Sequence, residues 1–224
     1  MSGLRDRWVS LFDKVGAKGD PSKYFALLEK QYSEPSRYYH NLSHIEHCLN
    51  ECDDVKSLLS KPGELEMAIW FHDSIYNINS KENERESADL AVKSINEMSL
   101  PQTFANRVND MIMVTLHNFV PKSSDGKFMV DIDLSSFGQA KAQYERDENN
   151  VMKEYGSVPD SILIPGRLEF LRRFLGRPSI FYTDYFRDKY EEAARKNIER
   201  SIANFQSVLK SDNDLNKNKR KISL

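Results

Sequence analysis

The stretch Glu66-Met67-Ala68-Ile69-Trp70-Phe71-His72-Asp73 joins an apolar helical segment directly to two side chains that bind divalent metals. The apolar part predicts a buried helix. Imidazole suits transition metals and carboxylate suits harder ions, so the pair indicates an ion such as Mn²⁺, Fe²⁺ or Co²⁺. Two adjacent ligands cannot complete a coordination sphere. Further ligands must therefore come from other parts of the chain.

The histidines of this chain are clustered in sequence. All five lie between positions 40 and 117, at His40, His44, His47, His72 and His117. A single buried histidine is usually no more than a hydrogen-bonded core residue. Five histidines in or near apolar helical segments instead favour a metal site, and the acidic run Asp131-Ile132-Asp133-Leu134 adds candidate carboxylate ligands.

Composition limits the classes of function. The chain has 224 residues, 39% hydrophobic and 29% charged, with a formal net charge of −2, which suits a globular protein and gives no field for wrapping a nucleic-acid backbone. We find no membrane-spanning run, no signal-peptide core and no disulfide framework, since Cys48 and Cys52 are the only cysteines. We therefore expect a cytoplasmic protein without a membrane partner, and composition leaves a homo-oligomer open.

Helical periodicity runs through most of the chain, and alternating strand patterns are scarce. We predict one all-α domain over 1–210 and a disordered basic tail over 211–224. Asp20-Pro21 opens one helix as N-cap and first residue, and Ser80 caps another. The turn signals over 120–126 predict a loop, followed by a short extended piece over 128–130. Other helices are predicted over about 42–60, 62–76, 101–117, 139–155, 160–175 and 184–210.

The predicted helices place the candidate ligands near one another. His44 lies near the start of its helix, and His72 and Asp73 lie at the end of the next one. Antiparallel packing of these two helices would bring the three side chains together. Asp133 would then arrive from a distant segment, anchored to the core by Leu134 and Phe137 on its own helix.

This order of residues resembles the HD-domain superfamily of metal-dependent phosphohydrolases, in particular a subgroup described as predicted HD phosphohydrolases. The resemblance covers about 35–200, and His72 follows His44 by 28 residues, as Asp133 follows Asp73 by 60. The matching segments are Arg37-Tyr38-Tyr39-His40-Asn41-Leu42-Ser43-His44, Trp70-Phe71-His72-Asp73, Asn83-Glu84 with Ser87-Ala88, His117, Asp131-Ile132-Asp133-Leu134 with Gly138, and 177–197.

The resemblance implies an HD-type helical bundle with a divalent ion (Mn, Fe, Co, Mg or Zn) bound by His44, His72, Asp73 and Asp133. It also suggests that His117 binds a second ion or a phosphate. Two ions would need a bridge through Asp73.

Asp131 is the rival of Asp133 for the last ligand position. We prefer Asp133, because the resemblance implies an apolar residue directly after this ligand and Leu134 follows Asp133. In a helix only one of the two can face the ion, because residues two apart point about 200° from each other. Asp131 would then be a helix N-cap or a partner of a ligand.

Metal-bound water needs a general base, and a phosphorylated substrate needs polar contacts. Glu84 is the candidate base, with a solvated helix charge as the alternative; Asp73 and His117 complete the predicted catalytic set. The predicted substrate contacts are Arg37, His40, Asn41, Tyr76 and Lys122, with Arg37 suited to bidentate phosphate binding.

The predicted function is hydrolysis of a small phosphorylated compound, most simply a nucleotide. Two alternatives stay open: a sensor module that keeps the metal and binds a nucleotide without turnover, and an oxygenase with a di-iron centre built from the same ligands.

Overall fold

The computed structural model describes residues 2–222, with side chains described from 3 to 211. Within these residues the backbone forms helices and their connections, without a β-strand. The predicted all-α class is therefore confirmed. The α-helices are α1 (Ser2–Lys14), α2 (Pro21–Tyr32), α3 (Leu42–Val55), α4 (Pro62–Phe71), α5 (Asn83–Glu97), α6 (Gln102–Met113), α7 (Ser124–Leu134), α8 (Lys141–Glu154), α9 (Asp160–Leu175) and α10 (Asp184–Ile222).

Backbone contacts divide the chain into two compact units. The first unit is Met1–Ser135 and contains α1 to α7; the second is Ser136–Leu224 and contains α8 to α10. The domain boundaries predicted from sequence, 1–210 and 211–224, stay a prediction. In the predicted tail, the side chains beyond 211 and the last two residues lie outside the described residues.

Helix α4 forms the centre of the first unit. Its side chains are buried from Glu64 to Phe71, and it packs against α1, α3, α5, α6 and α7. A helix that is apolar on all sides is stable only when other elements surround it. Its two buried carboxylates are paired with arginines, Glu64 with Arg107 and Glu66 with Arg7. Pairing of this kind is what makes burial of a charge tolerable.

Polar side chains cap the N-termini of several helices, and the sequence predicts one of these caps. Asp20 accepts a hydrogen bond from the backbone N–H of Ser22, with Pro21 at the first helical position, so the predicted start of α2 is confirmed. Asn41 caps α3 and Ser123 caps α7 in the same way. Each cap satisfies one of the free N–H groups at a helix start.

Several predicted assignments are wrong. The α-helices predicted to end at 60 and 117 end at Val55 and Met113, and α7 begins at Ser124, inside the loop predicted over 120–126. Helix α4 ends at Phe71 rather than near Tyr76, because the chain turns there and the N–H of Ser74 binds the Phe71 carbonyl. Helix α5 begins at Asn83, since the Ser80 hydroxyl caps only a turn before it. Residues 128–130, predicted to be extended, lie inside α7.

Among the described helices, we find none with the length and apolar character needed to cross a lipid bilayer.

Gly138 gives a test of packing in the second unit. A Cβ at this position would overlap the side chain of Tyr190, whereas a Cβ at Gly166, within α9, meets no neighbouring atom. We expect Gly138→Ala to lower the free energy of unfolding by about 1–3 kcal/mol, the usual cost of overpacking. Gly166→Ala should leave it unchanged or raise it by up to about 1 kcal/mol. Urea denaturation of both variants checks this, and equal stability of the two would contradict the packing.

Candidate metal centre

The start of α3 and the end of α4 meet at two imidazole rings. His44 lies in the first turn of α3, three residues after the cap Asn41, and His72 directly follows α4. The Nε2 atoms of His44 and His72 are 3.2 Å apart, and both side chains are almost fully buried. The structure therefore brings together the two histidines that the sequence places at opposite ends of neighbouring helices.

Two carboxylates lie against the same pair of nitrogens. Asp73 Oδ2 is 3.0 Å from Nε2 of His72 and 3.5 Å from Nε2 of His44. Asp133 Oδ1 is 3.4 Å from His44 Nε2 and 3.6 Å from His72 Nε2. His44, His72 and Asp133 thus form a group that can hold a metal ion, with one ligand atom from each. Asp73 borders this group through both imidazoles.

The distances from the two imidazole nitrogens to each other and to each carboxylate suit ligands of a single ion. Nitrogen and oxygen ligands at about 2.1 Å from a metal lie about 3.0 Å apart at right angles and about 3.4 Å apart at the tetrahedral angle. The five distances above run from 3.0 to 3.6 Å. The donor set, two imidazoles and two carboxylates, also fits the ions that the sequence indicates.

Hydrogen bonding at His72 leaves its Nε2 lone pair directed at this point. The Nδ1 atom of His72 lies 2.9 Å from the carbonyl oxygen of Ile69. A carbonyl oxygen can only accept, so Nδ1 carries the proton and neutral His72 has a bare Nε2. A backbone carbonyl on the distal nitrogen is the usual way in which proteins fix the tautomer and orientation of a metal-binding histidine.

The electrostatics of the cluster favour a positive charge between the four side chains. Burial lowers the pKa of His72, but the carboxylates of Asp73 and Asp133 outweigh burial and raise it well above its usual value. Burial raises the pKa of Asp73 and of Asp133, but the neighbouring imidazoles bring both below their usual range. Carboxylates that raise the pKa of a buried imidazole favour positive charge at this point, supplied by a proton on the ring or by a bound cation.

The cluster opens to solvent on its carboxylate side. The imidazole side chains are 1–2% exposed, whereas those of Asp73 and Asp133 are 18% and 16% exposed. An ion held here would therefore face the core through His44 and His72, and would keep coordination positions on the outer side for water or a substrate atom.

His117 contacts Asp133 rather than the centre of the cluster. Its Nε2 is 3.0 Å from Asp133 Oδ2, the oxygen that points away from His44 and His72. His117 also adopts a left-handed conformation, with φ of +54°, directly after the 3-10 helix Val114–Leu116. Non-glycine residues in this conformation are concentrated at functional sites. His117 therefore orients a carboxylate of the cluster, and its predicted contact with a second ion or a phosphate stays a prediction.

The two aspartates of α7 have different environments. Asp133 lies in the cluster, whereas Asp131 is fully buried two residues earlier in the same helix. The structure places both well inside α7, which begins at Ser124 and is capped by Ser123. The interpretation of Asp131 as a helix N-cap is therefore wrong. The preference for Asp133 agrees with the geometry, because helical residues two apart point in nearly opposite directions.

Arg37 does not offer its guanidinium to solvent. Its side chain is 1% exposed, and it donates hydrogen bonds to the backbone carbonyls of His40, Asp73 and Ser74. Its Nε is 3.1 Å from a carboxylate oxygen of Glu34. The prediction that Arg37 binds substrate phosphate does not fit this arrangement, because the fork that would hold a phosphate is already directed at carbonyl oxygens.

Asn41 likewise has a structural role in place of its predicted substrate contact. Its Oδ1 accepts from the N–H of Ser43, and its Nδ2 donates to the carbonyls of Tyr38 and Arg37. Both ends of the amide are thus used to begin α3 and to fix the loop before it. A cap residue in this position sets the register that directs His44 inward.

His40 and Tyr76 lie side by side at the edge of the cluster. Their rings stack at a centroid distance of 4.1 Å, and the His40 ring is 6.1 Å from that of His44. Both are half-buried, and His40 contributes to the lowered pKa of Asp73. Their predicted substrate contact is compatible with this position.

Glu84 lies in the first turn of α5, where the charges of Asp73, His117 and Asp133 act on its carboxyl. Burial raises the pKa of its half-buried carboxyl, with a further increase from Asp73. Glu84 is thus half-buried, and its roles as general base or as a solvated helix charge both stay predictions. Lys122 is exposed. His47 Nε2 lies 2.7 Å from the Ser135 hydroxyl just after α7, so it supports the segment that carries Asp133.

Two neighbours of the cluster are missing from the sequence prediction. The Sγ atom of Cys48 is 3.6 Å from His44 Nε2, and the spacing of four residues on one helix is a signal that could have found it. Tyr32 donates a hydrogen bond to the carbonyl of Trp70 in the last turn of α4. No sequence pattern identifies that contact, because the two residues lie on different helices and are 38 positions apart in the sequence.

A scan against protein-family models gives no match for this chain, and a search of curated proteins gives none either. The resemblance to HD phosphohydrolases therefore stays a prediction.

The two aspartates allow a direct test of the ligand assignment. We expect Asp133→Asn to lose Co²⁺ or Mn²⁺ binding, because an amide is a far poorer ligand than a carboxylate. Asp131→Asn should keep it, because residues two apart in a helix point in nearly opposite directions and Asp133 is the one in the cluster. Metal content measured after dialysis against each ion decides between them. Binding retained by Asp133→Asn and lost by Asp131→Asn would reverse the assignment.

Proposed function

We propose that the protein is a metal-dependent phosphohydrolase that acts on a small phosphorylated compound, most simply a nucleotide. The observation that carries the proposal is the group of His44, His72 and Asp133, which can hold a metal ion, with the partly exposed Asp73 carboxylate against both imidazoles. Structural metal sites are usually closed by protein ligands, and sites that perform hydrolysis keep open positions.

His44, His72, Asp73 and Asp133 are the proposed ligands of a divalent ion. Their mixed nitrogen and oxygen donors suit Mn²⁺, Fe²⁺ or Co²⁺, with Mg²⁺ and Zn²⁺ as further candidates. Such an ion, when bound, lowers the pKa of a coordinated water and offsets charge that develops on a phosphoryl group. The side chains of the protein would carry out the proton transfer, orient the ligands and bind the substrate.

Glu84 is the proposed general base. A base that works near neutral pH needs a pKa above that of an ordinary carboxyl, and burial together with the nearby carboxylate of Asp73 shifts the pKa of Glu84 in that direction. Glu84 lies at the start of α5 and is not one of the proposed ligands. Glu84 would accept a proton from the attacking water.

His117 is proposed to hold Asp133 in its binding orientation. Hydrogen bonds to the second oxygen of a ligating carboxylate fix its rotamer, and their loss commonly weakens metal binding. On the substrate side, the stacked pair His40 and Tyr76 offers an aromatic surface, and Lys122 offers an exposed positive charge. These groups suit a phosphate ester that carries a ring, such as a nucleotide.

A panel of nucleotides and other phosphoesters, tested with Mn²⁺, Mg²⁺ and Co²⁺, examines the proposal. We expect release of phosphate or nucleotide that a chelator abolishes, and its loss in Asp73→Asn. Tight nucleotide binding without turnover under every ion would instead favour a sensor module. Oxygen consumption by the Fe²⁺ form would favour an oxygenase.

Glu84 can be separated from the ligands by a paired substitution. We expect Glu84→Gln to lower kcat by about 10²–10⁴-fold, the usual contribution of a general base, while metal content stays at the wild-type value. Glu86→Gln is the matched control, because Glu86 lies in the same turn of α5 and is exposed. Equal activity of the two variants would exclude Glu84 as the base.

A further inference from the structure

We propose that Arg37 is a positioning residue of the metal centre, which ties the backbone after Asp73 to the loop that leads into His44. This inference rests on the proposed function, since it concerns the ligands of that same site. It assigns to Arg37 a role that involves neither substrate nor phosphate.

Arg37 binds backbone atoms from two distant segments at once. Its Nη1 is 2.5 Å from the carbonyl oxygen of Asp73 and 3.2 Å from that of His40, and its Nη2 is 3.0 Å from the carbonyl oxygen of Ser74. The carbonyls of Asp73 and Ser74 directly follow His72, and the carbonyl of His40 precedes His44 by four residues. One buried side chain therefore fixes the spacing between the two backbone segments that carry ligands.

The end of α4 explains why these carbonyls need an external donor. A helix ends with carbonyl groups that no later N–H satisfies. Within the last turn, Ile69 binds Nδ1 of His72 and Trp70 binds the hydroxyl of Tyr32. The Phe71 carbonyl accepts from the N–H of Ser74, and the carbonyls of Asp73 and Ser74, in the turn after α4, accept from Arg37. Because the segment is buried, a missing donor here would leave a costly unsatisfied carbonyl.

Only arginine suits this geometry. The guanidinium is planar and carries five N–H groups in a rigid fork, whereas lysine has one nitrogen at the end of a flexible chain. The fork is also held from its faces: the Arg37 Cζ lies 5.3 Å from the ring centre of Tyr32 and 5.6 Å from that of Tyr76. Arginine favours such contact with aromatic faces.

The charge of Arg37 is balanced without a ligand. Its Nε pairs with the carboxylate of Glu34, three residues earlier, at 3.1 Å. The Arg37 side chain is 1% exposed and that of Glu34 is 44% exposed, so the pair reaches solvent only through the carboxylate. Charge pairing and the carbonyl contacts together account for a buried arginine that needs no bound phosphate.

The test compares Arg37→Lys with Arg7→Lys in the full-length protein. Arg7 is the control, because it is another ion-paired arginine of the first unit, less buried than Arg37, and contacts the carboxylates of Asp53 and Glu66. Three quantities are measured for each variant: the Kd for Co²⁺, the visible absorption spectrum of the Co²⁺ form, and the thermal stability of the metal-free protein.

We expect Arg37→Lys to weaken Co²⁺ binding by roughly 10–100-fold, the usual effect of removing a group that orients ligands, and to alter the Co²⁺ spectrum. Arg7→Lys should keep the wild-type Kd and spectrum even where it lowers thermal stability. Wild-type affinity and an unchanged spectrum in Arg37→Lys would overturn this inference alone. Failure of the wild-type protein to bind any divalent ion would overturn the proposed function as well.

Glu34→Gln gives a second variant for the case in which Arg37→Lys does not fold. Glu34 is on the surface, so its substitution should leave the fold intact. The substitution removes the charged partner of Arg37 Nε. We expect a smaller effect, roughly twofold weaker Co²⁺ binding with a shifted spectrum, in line with an exposed ion pair. An unchanged Kd together with an unchanged spectrum in Glu34→Gln would count against the positioning role.

Discussion

Helix α4 ends inside the protein, and the carbonyl groups around its last turn must find donors there. This constraint shapes the first unit. The imidazole of His72 satisfies one carbonyl through Nδ1, and the same bond leaves its Nε2 directed at the cluster. Tyr32 and Arg37 satisfy others from outside the helix. The hydrogen bonds that end α4 are therefore also the hydrogen bonds that arrange a candidate ligand, so stability of the fold and geometry of the site depend on the same contacts.

The second constraint is electrostatic. Asp73 and Asp133 bring two carboxylates against buried imidazoles, and the imidazoles hold the pKa of both carboxyls low. Two carboxylates against the same pair of imidazoles are stabilised by positive charge beside them. Arg37 does not supply that charge to the cluster, because its guanidinium is paired with Glu34 and directed at carbonyls. A protonated imidazole can supply that charge, and so can a bound divalent ion.

The sequence predicts the fold class, most helices and the convergence of His44 with His72 because each depends on local spacing. Apolar periodicity marks the buried face of a helix. Antiparallel packing of two neighbouring helices brings the start of one close to the end of the other. The functions of Arg37 and Asn41 are not predictable in this way. Both residue types bind phosphates or cap helices equally well, and the choice depends on which backbone atoms lie nearby in space. The same limit applies to 128–130, where burial within α7 overrides a weak local preference for extended backbone.

The exposed fractions of the four side chains also limit how a substrate would approach. The imidazoles face the core, so access is from the side of Asp73 and Asp133, each of which is about one-sixth exposed. A phosphate that arrives there meets two carboxylates first, and Coulomb repulsion would exclude it from a cluster that held no cation. A bound ion reverses the sign of this interaction. Metal binding would then be the condition for substrate binding as well as for chemistry, and a protein of this design would discriminate against anions until its ion is in place.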